Sequence, residues 1–210
     1  PLMQSVLCDL ALESEAALWL GLALARAVAQ AEDPLQKAFL RIVAPAAKFW
    51  VCKRSIAAIA ECLEVWGGNG YIEDAPLARL LREAPVNSIW EGSGNVMCLD
   101  VLRALSRHPD ATALLLDHLA DDCRADPVLA AAMSELAQWL AGPADALEAQ
   151  ARKVTQRLVL LVQATLLYRH APSWVAQAFM RSRFEEPAGV MGGSAYADAA
   201  EILARAYQPL

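Results

Sequence analysis

Residues 61–105 read ECLEVWGGNGYIEDAPLARLLREAPVNSIWEGSGNVMCLDVLRAL, and this stretch decides the fold. The run Gly67-Gly68-Asn69-Gly70 stops a long helical pattern and reverses the chain, since glycine takes positive φ at little cost. Tyr71 to Pro76 reads as loop, Leu77 to Arg82 as a short helical turn, and Pro85 to Trp90 as a connection to Glu91-Gly92-Ser93-Gly94-Asn95. Ser93 stands in the N-cap position of a further helix, with Val96, Leu99, Leu102 and Leu105 expected inward. Trp66 and Trp90, each near a carboxylate, are expected to be buried.

Outward from this stretch the pattern stays helical. Upstream, Met3, Leu7, Leu10, Ala17, Gly21, Leu24 and Val28 recur at helical steps, with Ser14 on the same face. Asp33-Pro34 supplies an N-cap and a first-turn proline for a helix over 35–63. That helix would be roughly 40 Å long, with Phe39, Ile42, Ala46, Phe49, Ile56 and Ile59 on one side and a kink at Pro45. Downstream, Asp110, Asp126-Pro127, Gly142-Pro143 and Ala171-Pro172 punctuate helices near 111–124, 127–141, 144–170 and 173–184. A connector at Gly189–Gly193, expected to be flexible, leads to a last helix near 196–206. The whole reads as all-α: a bundle over 1–108, then a second helical unit over 109–210. Hydrophobic residues make up 57% of the chain, enough for a sizeable core.

Composition also excludes. The net charge is −6, with the second half the more acidic, so the surface as a whole does not favour nucleic acid or anionic membrane. The five cysteines are scattered and form no CxxC pair, which argues against a disulfide framework or a metal site and for a reducing, cytoplasmic compartment. Cys52 and Cys62 are expected to be buried as small hydrophobes. The start at Pro1-Leu2-Met3 runs straight into helix, without the features of a secretory signal, and reads as the interior of a longer protein. No apolar run reaches membrane-spanning length.

Two groups could carry chemistry. A Gly-Gly-x-Gly turn lets backbone N–H groups approach an anion; alone, it could equally serve only to end a helix. Glu91, between Trp90 and Gly92, could act as a general base, or could be an ordinary carboxylate paired with Arg79 or Arg82.

Taken together the two groups are specific. EVWGGNGY at 64–71, IWEGSGN at 89–95 and the following helix resemble the C-terminal helical domain of the acyl-CoA dehydrogenase superfamily. That family's pattern reads Q-x-x-G-G-x-G-[YF], then Y-E-G-T. AKFWVCKRSIAAIAECLEVWGGNGY and LREAPVNSIWEGSGNVMCLDVLRAL are similar to its AidB-like, alkylation-response branch. The likeness is strong from Pro1 to about Arg107, and an AidB-type helical extension would account for 109–210.

The resemblance implies a set of roles. Glu91 matches the glutamate that removes the α-proton of an acyl thioester while the β-hydrogen leaves as hydride to a flavin. Gly67, Gly68 and Gly70 match a turn touching the FAD of a neighbouring subunit. Ser93 matches a threonine near the flavin, and Asn95 sits where the family often has glutamine. Glu64 stands where the family usually has a glutamine near the cofactor phosphates, and its charge would repel a pyrophosphate. Trp90 replaces a tyrosine and would narrow an acyl channel. The resemblance further implies upstream domains and a first bundle helix that this chain lacks, and assembly as a homotetramer. It also implies contact with double-stranded DNA, for which Arg152, Lys153 and Arg157 are the candidate residues. Three readings follow: a flavin-dependent dehydrogenase acting on an acyl-CoA, a DNA-protecting protein, or a structural oligomerisation bundle with a vestigial site.

Overall fold

The computed structural model describes residues 1–187 and 189–207, and every regular element among them is helical. In chain order these are α1 (Leu2–Ala29), α2 (Pro34–Val65), α3 (Gly68–Tyr71), α4 (Pro76–Asn87), α5 (Gly94–Arg107) and α6 (Pro109–Cys123). There follow α7 (Pro127–Leu140), α8 (Ala144–Ala149), α9 (Ala151–His170), α10 (Ser173–Met180), a π-helical turn (Arg181–Glu185) and α11 (Ala199–Ala206).

Local chemistry sets most of these boundaries. Asp33 caps α2 by accepting from the Gln36 amide at 2.9 Å, with Pro34 at the first helical position. Asp126 does the same for α7, accepting from Val128 and Leu129 at 2.9 and 3.1 Å. Helix α2 continues through Pro45 as one helix from Pro34 to Val65. Helix α4 is longer than the sequence indicated and carries Pro85 within it. The expected single helix over 144–170 is divided at Gln150, and that over 173–184 passes into the π turn.

The centre of the molecule is α9. Every residue from Leu158 to Leu167 is buried, as befits a helix apolar on all sides. Helices α1, α2, α5, α6, α7 and α10 pack around it. One hydrophobic core therefore includes Leu12 and Leu20 of α1, Ile42 and Val43 of α2, Val101 of α5, Leu115 of α6, Leu136 of α7 and Phe179 of α10.

Two expected faces turn out rotated, and a third is buried over only half its length. Helix α1 buries Cys8, Leu12, Ala16, Leu20, Ala23 and Ala27, while Met3 and Val28 are exposed. Its sequence holds two apolar stripes, and packing on α9 selects the second. In α5 the buried positions are Gly94, Cys98, Val101 and Ala104, and Val96 is exposed. In α2 the inward series stops after Trp50: none of residues 51–66 is buried, so Ile56, Ile59, Cys52 and Cys62 lie at the surface or half-covered.

A buried ionic clasp ties the two ends of the chain together. Asp9 and Glu13 of α1 are both buried. Arg183 of the π turn donates to Asp9 Oδ1 at 2.5 Å and Glu13 Oε2 at 3.1 Å. Arg54 of α2 donates to Glu13 Oε2 at 2.8 Å, and the Gly192 amide donates to Asp9 Oδ2 at 2.8 Å. The 189–193 segment is thus anchored onto α1, not free as its glycines suggested.

Removing one partner of a buried pair strands the other. Arg183→Met is expected to lower unfolding free energy by about 3–5 kcal/mol, against less than about 1 kcal/mol for Arg205→Met at the more exposed Glu15 pair; urea midpoints of both variants check this. A second expectation concerns acid. Arg41 hydrogen-bonds Asp100 through two nitrogens at 2.9 and 3.1 Å and holds that carboxyl below the usual range. Its contribution is present above the unfolded value of about 4 and is lost as pH falls through the lower folded value. Asp100→Asn should therefore flatten the acid limb of the stability profile below about pH 4.

Candidate functional site

Helix α4 runs back along α2 and delivers residues 88–93 to the middle of that helix. There the backbone is strained. Glu91 has φ +53°, the left-handed region, which for a residue with a Cβ costs roughly 1–2 kcal/mol. Gly92 follows at φ +122°, and a Cβ there would lie 2.4 Å from Met97 Cε. Lys48 of α2 holds this turn: its ammonium donates to the Trp90 carbonyl at 3.1 Å and the Gly92 carbonyl at 2.5 Å. Five residues on, Lys53 reaches Ser88 Oγ at 3.4 Å. The Glu91 side chain is exposed. Its alternative partners are occupied, Arg79 by Glu83 at 2.9 Å and Arg82 by Glu73 at 2.5 Å, and Glu91 makes no ion pair among the described residues.

The glycine turn lies at the other end of α2. Gly67 has φ +60°, and a Cβ on Gly70 would lie 2.2 Å from the Leu63 carbonyl oxygen. The fold therefore requires glycine at both positions. Gly68 differs: open space surrounds the place of its Cβ, and the amides of Gly68 and Asn69 find no backbone acceptor among the described residues. Two free donors beside open space suit an anionic oxygen. Glu64 is exposed one turn back, without an ion-pair partner among the described residues, and its negative charge opposes such a ligand.

The structure does not bring these two groups together. Lys48, which holds the Glu91 turn, and Glu64 are sixteen positions apart on one helix, roughly 24 Å at 1.5 Å per residue. Around both, apolar side chains face outward: Trp66 is 63% exposed, Tyr71 75%, Ile89 63% and Trp90 60%, so neither tryptophan is buried as expected. Each place thus presents two large apolar side chains to solvent. The α1 stripe that the core does not use is also uncovered. Leu7, Leu10 and Leu18 line a groove of about 580 Å³ with Val65, Trp66 and Tyr207. It continues as one of about 280 Å³ between Ala17 of α1 and Ala58 and Ile59 of α2.

The remaining candidates lie at the start of α5 and α9. Ser93 is the N-cap of α5 by backbone alone; its hydroxyl makes no capping bond. Asn95 Oδ1 accepts from Arg152 Nε at 2.9 Å. Lys153 Nζ sits 4.0 Å from the centre of the Trp139 ring, and Arg157 pairs with Glu135 at 2.9 Å while lying over the same ring. All three cations are thus engaged within the chain. Lys48 and Lys53 escaped the sequence reading, because a lysine on a long helix carries no motif of its own.

Residues 1–106 match the family profile described as acyl-CoA dehydrogenase, C-terminal domain, and the chain belongs to that family. Within it, the chain is 40% identical over 190 residues to AidB of Escherichia coli (strain K12), covering 90% of the chain and 35% of that protein. It is 41% identical over 92 residues to acyl-CoA dehydrogenase family member 11 of Caenorhabditis elegans, covering 44% of the chain and 14% of that protein. Among solved structures, Caenorhabditis elegans ACDH-11 in complex with C11-CoA superposes with a TM-score of 0.77 at 26% identity, covering 89% of this chain and 36% of that one. The apo-form of Bd2924 superposes with a TM-score of 0.75 at 29% identity, covering 82% and 34%. The chain spans about a third of the length of the AidB relative and of both superposed structures.

The two glycines predict opposite behaviour. Gly70→Ala forces a Cβ into a backbone carbonyl and should cost at least about 1–3 kcal/mol, whereas Gly68→Ala should leave stability within about 1 kcal/mol of the parent; thermal denaturation distinguishes them.

Proposed function

We propose that this chain is the C-terminal part of an acyl-CoA dehydrogenase-type flavoprotein in which Glu91 takes the α-proton of an acyl thioester. The observation that carries this reading is the state of Glu91: exposed, without an ion pair among the described residues, and fixed in a strained backbone conformation at a turn that the half-buried Lys48 holds. Strain at a single acidic residue is more simply explained by a task for its side chain than by folding. FAD, when bound, would supply the acceptor for the β-hydrogen. On this chain the residues that would hold it are the amides of Gly68 and Asn69 in the turn after α2, with Gly67 and Gly70 shaping that turn. Ser93 and Asn95 would face the flavin beside Glu91.

The roughly 24 Å along α2 supports a further point: the turn at 67–70 serves a cofactor on a neighbouring copy, while Glu91 serves the one on its own. The outward-facing Trp66, Tyr71, Ile89 and Trp90 supply apolar surface for such an assembly, a homotetramer by the family's pattern. The groove between α1 and α2 is where a further apolar helix of the intact protein would lie, with residues 109–210 as the AidB-type extension of the bundle. An acyl-CoA is the substrate class, supported by the C11-CoA complex of the similar ACDH-11. Glu64 remains unfavourable to a pyrophosphate and would have to turn away from it when the cofactor binds. A DNA role would have to use Arg152, Lys153 and Arg157, whose head groups already contact Asn95, Trp139 and Glu135, so the flavin reading is preferred.

The test uses the full-length protein containing this chain. Its visible spectrum should show bound flavin, and anaerobic addition of acyl-CoA thioesters should bleach the flavin band. Glu91→Gln should retain flavin and abolish bleaching, whereas bleaching that survives this substitution rules Glu91 out as the base. Gly68→Val in the same background should lower flavin content without lowering stability.

A further inference from the structure

We infer that Lys48 is the positioning residue for Glu91: its ammonium fixes the turn that aims the carboxylate, and it does so from the rigid middle of α2. The inference deepens the proposed role of Glu91 and rests on it. Lys48 belongs to neither sequence motif.

The geometry is specific. Lys48 donates to the carbonyl before Glu91, that of Trp90, and to the carbonyl after it, that of Gly92. These bonds fix the peptide planes that enter and leave the Glu91–Gly92 pair. Between them stands the only non-glycine residue with positive φ among the described residues. Such a conformation persists only where the surroundings over-determine it. Here they do so from both sides: Met97 occupies the space a Cβ at position 92 would need, and Lys48 closes the turn from α2. Lys48 has no carboxylate partner among the described residues, so its charge is spent on the two carbonyls.

Its platform is also rigid. Ala46, Ala47, Phe49 and Trp50, on either side of it in sequence, are all buried in the core around α9. In both bonds the donor is a charged ammonium, which makes them stronger than bonds between neutral groups. Lys53 supports the same turn at Ser88, where its contact of 3.4 Å is longer and addresses a side chain rather than the backbone. Of the two, Lys48 sets the direction in which Glu91 leaves the chain. A misplacement of about 1 Å at a reacting group can cost on the order of a hundredfold in rate.

The experiment compares Lys48→Met and Lys48→Arg in the full-length flavoprotein, each with and without Glu91→Gln. Amide hydrogen exchange reads the turn independently of any activity. Lys48→Met should speed exchange over residues 88–95 by about tenfold or more while leaving α9 unchanged, which also reports that the fold is intact. The rate of flavin reduction by an acyl-CoA should fall about a hundredfold with KM within about twofold. Lys48→Arg, which also offers several donors to two carbonyls, should restore most of both. In the Glu91→Gln background, where reduction is already abolished, Lys48→Met should still speed exchange over residues 88–95, since the clamp acts on the backbone. Unchanged exchange at 88–95 overturns the clamp. Faster exchange with an unchanged reduction rate overturns the positioning role. Slower reduction that Lys48→Arg does not restore, with exchange at 88–95 restored, would place the action of Lys48 elsewhere. If Glu91→Gln alone leaves reduction intact, the assignment of the base fails and the positioning role with it, while the exchange data still report whether Lys48 holds the turn.

Discussion

The constraint on which the structure depends is the length of one helix. Helix α2 runs 32 residues without a break, and its rise fixes how far apart its attachments lie. Its first half is embedded in the core through Ile42, Val43, Ala46 and Phe49. From the middle, Lys48 and Lys53 reach the 88–92 turn, and the far end carries Glu64 and the glycine turn. No side-chain movement can close that separation, so the two motifs lie at two separate places along α2. This follows from helix geometry and needs no assumption about a ligand.

The second half of α2 is peculiar in a protein so apolar. It holds Ile56, Ala57, Ile59, Ala60 and Leu63, yet nothing from 51 to 66 is buried. Helix α1 presents a matching uncovered stripe, so an apolar valley lies between the two helices while the core fills on the other side of α1. The buried clasp of Asp9, Glu13, Arg54 and Arg183 closes the same pair of helices from the C-terminal end of the chain. Charge pairs so covered specify one arrangement rather than add much stability. The clasp orients the valley, and Gly192 on Asp9 extends it.

The same economy holds at the glycines. Gly67 and Gly70 are accounted for by a positive φ and by a close approach to Leu63, whereas Gly68 has neither reason. Gly68 is thus the glycine of this turn that the fold does not require, and the amides of Gly68 and Asn69 lack a backbone acceptor among the described residues.

By itself the sequence determined the all-α class, through apolar residues repeating at helical steps, and it placed the helix starts where Asp33-Pro34 and Asp126-Pro127 announce them by capping chemistry. It marked Glu91 and the glycine turn, because unusual residue types in fixed order are visible without coordinates. It misplaced the buried faces of α1 and α5. Both helices carry more apolar positions than one face needs, and only packing around α9 selects among them. It also missed the length of α4, since a proline near a helix end does not reveal whether neighbouring contacts will carry the helix through it. Only the tertiary structure decided that Trp66 and Trp90 face outward, that Arg152 and Asn95 meet, and that Lys48 grips the turn at Glu91. Those contacts join residues some forty to sixty positions apart or depend on which face meets solvent. Sequence periodicity reports what is near along the chain, and such pairings are fixed only when the helices pack.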